Sequence, residues 1–378
     1  MLSHCYALIL AGGRGTRFWP RSRRRSAKQV LNVVGRRSLI QATVDRLALL
    51  IPPERIWILT NDHLRDTIVG QLPEVPAEQV LAEPAQRNTA PAIGLAARVL
   101  SSIDPGAIMG VFPSDHVVGK PARYRAVVRA AFKGAAAGRL MLVGIQPRWA
   151  ETGYGYVEFP PGTEPGARQP LPVRRFHEKP TPARARRYLA AGNYYWNSGM
   201  FFWRTEVVLE ELRRRLPKTA TLLASLPAFG DPHFSARLKK VFPLCENISI
   251  DFAVMEKSAN VGGIAAADFG WNDVGSWNAV YDLLARDRQG NSIGPDSVCL
   301  DSHNNFVDAR GKMVALLGVR NLIVVDTPDA LLVASRNRAQ QVGDVVKALE
   351  KLDREDLLLG GWGRRPTAGR TRVYGRLK

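Results

Sequence analysis

The sequence predicts an α/β fold with a mixed, mostly parallel sheet flanked by helices, followed by a small β domain of solenoid type. Short apolar runs of β-forming residues alternate with helical patterns through the first half of the chain. Short turns separate these segments, as is typical of a parallel sheet that is covered on both faces. After residue 287 the pattern changes to short β runs divided by turn residues.

The predicted elements are taken here in chain order. In the first part, strands are predicted over 6–11, 55–60, 80–83, 107–112 and 141–145, and helices over 39–50, 62–69, 89–102 and 122–137. In the middle, strands are predicted over 153–159, 173–178 and 196–203, and helices over 181–191, 206–216, 251–257 and 278–285. The Pro/Gly-rich loop 160–172 is predicted to be a mobile insertion. The β domain has predicted strands over 298–301, 305–308, 314–317, 322–326 and 330–334. A terminal helix follows, with Val342, Val346 and Leu349 at helical spacing.

A chain of 378 residues is long enough for two domains. The change of pattern predicts a first domain over 1–287 and a β domain with its terminal helix over 288–358. A basic, Gly/Arg-rich tail over 359–378 is expected to be disordered. No apolar run approaches the roughly 18 residues of a membrane span, and no signal peptide is recognised. We therefore expect a cytoplasmic protein with no membrane partner.

The net charge of +19 favours association with anions. The arginines are mostly dispersed, with dense groups at 21–25 and 364–378, and no nucleic-acid-binding module is recognised. Nucleic acid is therefore not expected as the main ligand, although a basic nucleic-acid-binding protein stays open as an alternative. The three cysteines lie far apart, which supports neither a disulfide framework nor a zinc site.

A glycine-rich turn follows the first predicted strand, with the sequence GGRGTR at residues 12–17. It has neither the Gly-Lys-Ser/Thr ending of a P-loop nor the third glycine of a dinucleotide-binding fingerprint. Its backbone N–H groups can still form an anion-binding nest, to which Arg17 and Lys28 would add charge. A purely structural tight turn is the alternative.

A second polar segment, PSDH at residues 113–116, also follows a predicted strand. Ligands of parallel sheets bind beyond the carboxyl ends of the strands, so this segment and the glycine turn are expected at one edge. Asp115 is suited to hold Mg²⁺ between phosphates, or alternatively to cap a turn.

The longer string around the turn is more specific. AGGRGTR at 11–17 is followed by WP at 19–20, SR at 22–23 and KQ at 28–29. This string resembles the signature of sugar-nucleotide pyrophosphorylases, and the WP and KQ pairs resemble the mannose-1-phosphate guanylyltransferase branch. Ala27 departs from the family, which usually has proline there.

Six further segments resemble family segments in the same order: 83–93, 113–116, 152–156, 176–180, 197–201 and 249–257, and the segment WNDVGSW at 271–277 closes the series. The resemblance runs from residue 8 to residue 277 and continues more loosely to about residue 350. It implies a Rossmann-like, GT-A-like nucleotidyltransferase fold.

The resemblance also implies site residues. The implied nucleotide-binding residues are Leu10, Ala11, Gly12, Gly13, Gly15, Thr16, Arg17, Lys28, Glu83, Pro84, Arg87, Asn88, Thr89, Ser114 and Asp115. The implied sugar-phosphate-binding residues are Gly155, Tyr156, Glu178, Lys179, Asn197 and Asp251. Asp115 and Asp273 would hold Mg²⁺, and Arg17, Lys28, Asp115 and Lys179 would be catalytic. For Asn88, Thr89 and Asp251, helix capping is an alternative or additional role.

The activity implied by the resemblance is the formation of GDP-mannose and pyrophosphate from GTP and mannose 1-phosphate, with Mg²⁺ as cofactor. The sugar phosphate would attack the α-phosphorus in line. A homodimer is also expected. The alternatives are a related enzyme that uses another nucleotide or hexose phosphate, and a non-catalytic regulatory paralogue that binds sugar nucleotides.

Overall fold

The computed structural model describes residues 3–13, 15–166, 169–294 and 296–360. The chain forms two compact units. The first comprises the N-terminal segment up to Gly12 together with Arg37–Asp273. The second comprises Gly13–Arg36 together with the chain from Val274 onward. The glycine-rich turn after Gly12 therefore belongs to the same unit as the C-terminal β strands, and the domain boundary at residue 287 remains a prediction.

The first unit is built on a large sheet. The strands of this unit, in chain order, are β1 (Cys5–Leu10), β2 (Ile56–Asn61), β3 (Val80–Glu83), β4 (Ile108–Pro113), β5 (Val117–Val118), β6 (Leu140–Ile145), β7 (Tyr156–Glu158), β8 (Leu171–Pro172), β9 (Arg175–His177), β10 (Tyr194–Arg204), β11 (Val261–Ala266) and β12 (Trp271–Asn272). The main sheet has the order β3-β2-β1-β4-β10-β6-β11-β8, and β7 pairs with β10 and β9. The short strands β5 and β12 pair separately.

Parallel pairing dominates one half of the main sheet. Strands β3, β2, β1 and β4 are parallel neighbours, as are β6 and β11, whereas β10 runs antiparallel to both β4 and β6. The central strands are apolar along their whole length because both faces are covered. The result is a mixed, mostly parallel sheet whose β1, β2, β3 and β4 end at a common edge.

Helices cover this sheet. They are α1 (Leu39–Ala48), α2 (Asp62–Gln71), α3 (Thr89–Ile103), α4 (Pro121–Ala136), α5 (Pro182–Ala191), α6 (Thr205–Arg215), α7 (Pro217–Ala224) and α8 (Phe234–Val241), with a π-helical turn at Asp251–Met255. Ser38 begins α1 with a capping box, in which its side chain and that of Gln41 each accept from the other residue's backbone N–H. Helix α3 is buried nearly all round, because its alanines and Gly94 allow close packing in the core.

The second unit contains the C-terminal strands and helices. They are α9 (Trp277–Leu283), β13 (Ser297–Leu300), β14 (Phe306–Asp308), β15 (Val314–Leu317), β16 (Leu322–Asp326), β17 (Leu331–Ser335), α10 (Val342–Lys351) and α11 (Asp356–Leu359). β13 pairs in parallel with β15, and β14 with β16. Buried Asn305 connects the segments before β13 and after β15, because its side chain donates to Asn291 Oδ1 (3.0 Å) and to the Val319 carbonyl (3.1 Å). Parallel pairing between short strands that alternate along the chain is typical of a solenoid.

The predicted fold class is confirmed, and several predicted details change. The loop 160–172 contains β8, which pairs with β11, while residues 167–168 lie outside the described residues. The helix predicted over 251–257 is a π-helical turn, and β11, α7 and α8 were not predicted. Residue 359 of the predicted tail lies in α11, and 361–378 lie outside the described residues. Within the described part of the chain, no helix is both long and apolar enough to cross a bilayer.

Candidate active site

The ends of β1 and β4 form the base of the candidate site in the first unit. Leu10 lies opposite Pro113 in the parallel register, and the Ser114 backbone N–H donates to the Leu10 carbonyl over 3.2 Å. Ala11 is fixed on its other side, since its N–H donates to the Leu59 carbonyl (2.7 Å). The two segments predicted to share an edge are therefore adjacent.

The segment after β3 lies beside the same strand end. Gln86 Nε2 donates to the Gly12 carbonyl over 3.3 Å. A Cβ on Gly12 would lie 3.3 Å from Glu83 Oε2, so the absence of a side chain lets the backbone pass close to this carboxyl. Burial raises the pKa of Glu83 to about 8. Burial thus favours the neutral, protonated form of the Glu83 carboxyl.

The segment continues into α3, where the predicted helix cap is confirmed. Asn88 is the N-cap, and its side chain accepts the Thr89 N–H over 2.9 Å. The Thr89 hydroxyl accepts the Ile250 N–H (2.9 Å), which ties this segment to the chain before the π-helical turn. The Arg87 guanidinium donates to the Pro243 carbonyl, a contact within the fold. The nucleotide-binding roles of Glu83, Pro84, Arg87, Asn88 and Thr89 remain predictions.

The segments that contain Asp115 and Asp273 are brought together by the pairing of β5 with β12. Asn272 lies opposite Val117 and Trp271 opposite Val118, so the antiparallel register runs towards both aspartates. The sequence contained no signal for this pairing apart from the family resemblance. Both carboxylates are half-buried. Within residues 3–13, 15–166, 169–294 and 296–360, no cluster of three or more His, Cys, Asp or Glu residues could hold a metal. A two-carboxylate donor set still fits Mg²⁺, which usually keeps several waters and binds substrate phosphates.

Two aromatic residues contact Asp273 and the neighbour of Asp115. The Tyr154 hydroxyl donates to Asp273 Oδ1 over 2.7 Å. Burial, together with the neighbouring Asp273 carboxylate, raises the pKa of Tyr154, which keeps the hydroxyl in its donor form. Trp271 Nε1 donates to His116 Nδ1 over 3.2 Å, so the accepting nitrogen of His116 is Nδ1. Tyr154 lies within a segment that resembles the family, but its contact with Asp273 was not predicted.

Helix α1 holds the backbone on both sides of Asp115. The Thr43 hydroxyl donates to the Ser114 carbonyl (3.2 Å), and Arg46 Nη2 donates to the His116 carbonyl (3.0 Å). The Arg46 guanidinium also lies 5.7 Å from the Tyr124 ring centroid. Sequence reasoning missed both residues, because Thr43 and Arg46 belong to an ordinary amphipathic helix pattern.

The predicted sugar-phosphate residues form a second cluster in the first unit. Asn197 Nδ2 donates to Asp251 Oδ1 (3.0 Å), and its backbone N–H donates to the Gly155 carbonyl (2.8 Å). Lys179 Nζ donates to Glu178 Oε1 over 2.8 Å. A Cβ on Gly155 would lie 2.5 Å from Glu178 Oε2, so only glycine permits this approach. The structure thus brings together residues from four separate segments.

Two further features describe this cluster. Burial, reinforced by the nearby Glu178 carboxylate, raises the pKa of Asp251 to about 6. Tyr156 is fully buried and its hydroxyl donates to the Glu151 carbonyl (2.8 Å), so its side chain serves the fold. Glu256 was not singled out from the sequence, yet its Oε1 accepts the Glu178 backbone N–H over 2.9 Å. These contacts leave the sugar-phosphate roles as predictions.

The remaining predicted residues lie in the second unit, on residues 13–29, which we call the signature loop. Gly15 has a φ of 61°, and a Cβ there would lie 2.6 Å from Lys28 Cβ, so the two ends of the loop are in close contact. Gln29 Nε2 donates to the Gly13 carbonyl over 3.2 Å. Arg17 is exposed on the short 3₁₀ turn Thr16–Phe18, whereas Lys28 is 6% exposed.

Comparison with known proteins gives the family. Residues 6–290 match the nucleotidyl transferase family, and residues 296–349 match a family described as a mannose-P isomerase/GMP-like β-helix domain. The chain belongs to the nucleotidyl transferase family. The sequence-based identification of a nucleotidyltransferase enzyme is therefore confirmed.

Individual relatives of this nucleotidyl transferase include xanthan biosynthesis protein XanB of Xanthomonas campestris pv. campestris (strain B100), 40% identical over 94% of this chain and 75% of the relative. A mannose-1-phosphate guanylyltransferase of Klebsiella pneumoniae is 37% identical over 94% of this chain and 77% of the relative. A crystal structure from Thermus thermophilus, named mannose-1-phosphate geranyltransferase, superposes with a TM-score of 0.81 at 34% identity, covering 92% of this chain and 99% of the other.

Proposed function

We propose that this nucleotidyl transferase makes GDP-mannose and pyrophosphate from GTP and mannose 1-phosphate. The observation that carries the proposal is the β5–β12 pairing, which brings the Asp115 and Asp273 segments together. Two carboxylates in that arrangement suit a Mg²⁺ ion that also binds phosphates. The names of relatives that share 37% of this sequence over most of its length support guanylyl transfer to mannose 1-phosphate.

The reaction requires little covalent chemistry from the protein. A phosphate oxygen of mannose 1-phosphate attacks the α-phosphorus of GTP and forms the new P–O bond. The bond from the α-phosphorus to the bridging oxygen breaks, and pyrophosphate leaves with that electron pair. The attacking oxygen is already ionised at neutral pH, so the enzyme needs to position both substrates and to neutralise charge.

The proposed metal site consists of Asp115 and Asp273. A bound Mg²⁺ would offset the negative charge of the phosphates. The side chains of the protein then have separate tasks: Lys179 would align the attacking phosphate, and Arg17, Lys28 and the backbone N–H groups of the signature loop would hold the departing pyrophosphate.

The remaining residues would select the substrates. The guanine N1–H and N2–H₂ donors need acceptors, which the Glu83 carboxyl and the backbone near Pro84 and Asn88 would supply. Glu178, Asn197 and Asp251 would bind hexose hydroxyls, for which a cluster that combines carboxylates with an amide is well suited. Gly155 would let the backbone approach the sugar.

Pyrophosphate release tests this function. The full chain is assayed with Mg²⁺, crossing GTP, ATP, UTP and dTTP against the 1-phosphates of mannose, glucose and N-acetylglucosamine. Turnover confined to GTP with mannose 1-phosphate, and lost in Asp115→Asn, supports the proposal. Turnover with another pair corrects the substrate, and binding of GDP-mannose without any turnover favours the regulatory paralogue. The homodimer and the cytoplasmic location remain predictions, the first of which sedimentation would test.

A further inference from the structure

The arginines at residues 21–25 are not used by the proposed mechanism. Arg21 forms a bidentate ion pair with Asp308 at the end of β14, with Nε to Oδ2 at 2.9 Å and Nη2 to Oδ1 at 2.7 Å. The two side chains are 14% and 17% exposed. Asp308 Oδ1 also accepts from Arg310 Nε (3.3 Å), whose guanidinium bonds both oxygens of Asn32 (3.1 Å). A planar fork on a carboxylate fixes orientation as well as distance.

Arg23 is also held by a carboxylate, through a single hydrogen bond, and is 5% exposed. Its Nη2 donates to Asp329 Oδ1 (2.9 Å), and its Nε to the Pro20 carbonyl (2.6 Å). The backbone N–H groups of Arg24 and Arg25 donate to the carbonyls of Leu358 (2.9 Å) and Leu359 (3.0 Å) on α11. The arginine run is therefore attached to the C-terminal part of the chain, where the side chains of Arg21, Arg23 and Arg24 pair with carboxylates.

Aromatic side chains connect β14 to Lys28. The Phe306 ring of β14 stacks on Trp277 with centroids 5.6 Å apart, and Trp277 packs on Phe18 at 5.0 Å. Trp277 Nε1 donates to the Trp19 carbonyl over 3.1 Å. Lys28 Nζ lies 5.4 Å from the Phe18 centroid. Strand β14 thus contacts the signature loop at two places. Asp308 pairs with Arg21, and Phe306 stacks on Trp277, which in turn packs on the Phe18 ring beside Lys28.

We propose that Asp308 is a positioning residue for nucleotide binding: through Arg21 it holds the signature loop in the shape that presents Arg17 and Lys28 to the triphosphate. This inference rests on the proposed function. It makes the C-terminal β domain part of the nucleotide-binding apparatus. Loss of the Asp308 carboxylate would leave the Arg21 guanidinium half-buried without its ionic partner, so the loop would populate other conformations.

Asp326→Asn is the matched control for Asp308→Asn. Asp326 lies at the end of β16 in the same β domain, is 14% exposed, and pairs with Lys312 Nζ at 2.8 Å. The Asp326 carboxylate is about as buried as that of Asp308, although its partner Lys312 is 59% exposed, and the pair lies within the β domain, outside the signature loop. The reversed pair, Arg21→Asp combined with Asp308→Arg, restores the attraction with the charges exchanged.

Steady-state kinetics and hydrogen exchange together test the proposal. In Asp308→Asn we expect the KM for GTP to rise by about tenfold, with an unchanged KM for mannose 1-phosphate. Exchange of amides in residues 13–29 is expected to speed up in Asp308→Asn but not in Asp326→Asn. The reversed pair is expected to recover only part of the affinity for GTP, because Arg310, which contacts position 308, repels the arginine introduced there.

Two results would overturn the inference. One is a KM for GTP and an exchange rate of residues 13–29 in Asp308→Asn that match those of Asp326→Asn. The other is an equal rise in both KM values without faster exchange in the loop. Failure of the proposed function has a different signature, because the unmodified chain would then not turn over GTP with mannose 1-phosphate. The comparison of hydrogen exchange needs no substrate. In that case too, it tests whether Asp308 holds residues 13–29 in one conformation.

Discussion

Arg46 Nη2 donates a 3.0 Å hydrogen bond to the backbone carbonyl of His116, the residue after Asp115. Thr43, one turn earlier on α1, donates to the Ser114 carbonyl on the other side of Asp115. The two contacts fix the peptide groups that flank the proposed metal ligand. Because an ion site depends on sub-ångström placement of its ligands, residues behind the site contribute to its function.

The Arg46 contact predicts that a substitution lowers kcat even at temperatures where the variant stays folded. Arg46→Lys keeps the positive charge but loses the planar fork, so kcat at saturating substrates and Mg²⁺ is expected to fall about tenfold. Arg98→Lys is the control, since Arg98 donates to the Leu226 carbonyl (3.0 Å) from α3. Equal kinetic effects in the two variants, measured well below their melting temperatures, would show that Arg46 serves only the fold.

The hydrogen bond from Tyr154 to Asp273 predicts a change in metal affinity. Tyr154→Phe removes the donor that orients Oδ1, so the Mg²⁺ concentration for half-maximal activity is expected to rise about tenfold. Tyr195→Phe removes a hydroxyl that donates to the Thr163 carbonyl (3.3 Å) and is expected to leave Mg²⁺ activation unchanged. A Mg²⁺ titration of both variants checks this, and identical curves would contradict the orienting role of Tyr154.

Asp251 predicts a pH-dependent stability. Its pKa is raised from 3.8 to about 6 by burial, so between these values the folded protein keeps a proton that the unfolded chain releases. The free energy of unfolding therefore falls as the pH rises through this window. Asp251→Asn mimics the neutral form and is expected to raise Tm at about pH 8, with little change at about pH 4.

Glu210 supplies the control of opposite sign for that experiment. Hydrogen bonds from Arg213 and Arg214 lower the pKa of Glu210 to about 2, so ionisation favours its folded state. Glu210→Gln is expected to give no gain in Tm at high pH. If the Tm of Asp251→Asn does not exceed that of the unmodified chain above pH 6, the raised pKa of Asp251 is contradicted.

Gly155 predicts a selective effect on the sugar substrate. A Cβ at this position would lie 2.5 Å from Glu178 Oε2, so Gly155→Ala must displace the carboxylate that is proposed to bind hexose hydroxyls. The KM for mannose 1-phosphate is expected to rise at least about tenfold, with an unchanged KM for GTP. Gly70→Ala on α2, where a Cβ meets no atom within 4 Å, is the control. A parallel change in both KM values would count against the sugar-side placement.

The sequence predicted the features that depend on local pattern. Strand-helix alternation and turn residues placed the glycine turn and the segment of Asp115 just past the ends of two strands, and parallel strands bring such ends to one edge. The structure makes these two strands, β1 and β4, parallel neighbours. Asn88 could be expected at a helix N-terminus because its side chain replaces a missing backbone partner.

Other features depend on contacts between distant segments, which no local pattern encodes. The β5–β12 pairing that joins the Asp115 and Asp273 segments is an example, since each strand has only two residues. The arginine run is another. Its positive charge suggested anions, whereas Arg21, Arg23 and Arg24 pair with Asp308, Asp329 and Glu355, which lie far along the chain.

Product analysis of one reaction tests the central claim most directly. The full chain is incubated with GTP, mannose 1-phosphate and Mg²⁺, and GDP-mannose and pyrophosphate are quantified together, with Asp273→Asn in parallel. The account predicts that the two products form in equal amounts and that the variant loses activity. Absence of GDP-mannose from the unmodified chain, or full activity in Asp273→Asn, would contradict it.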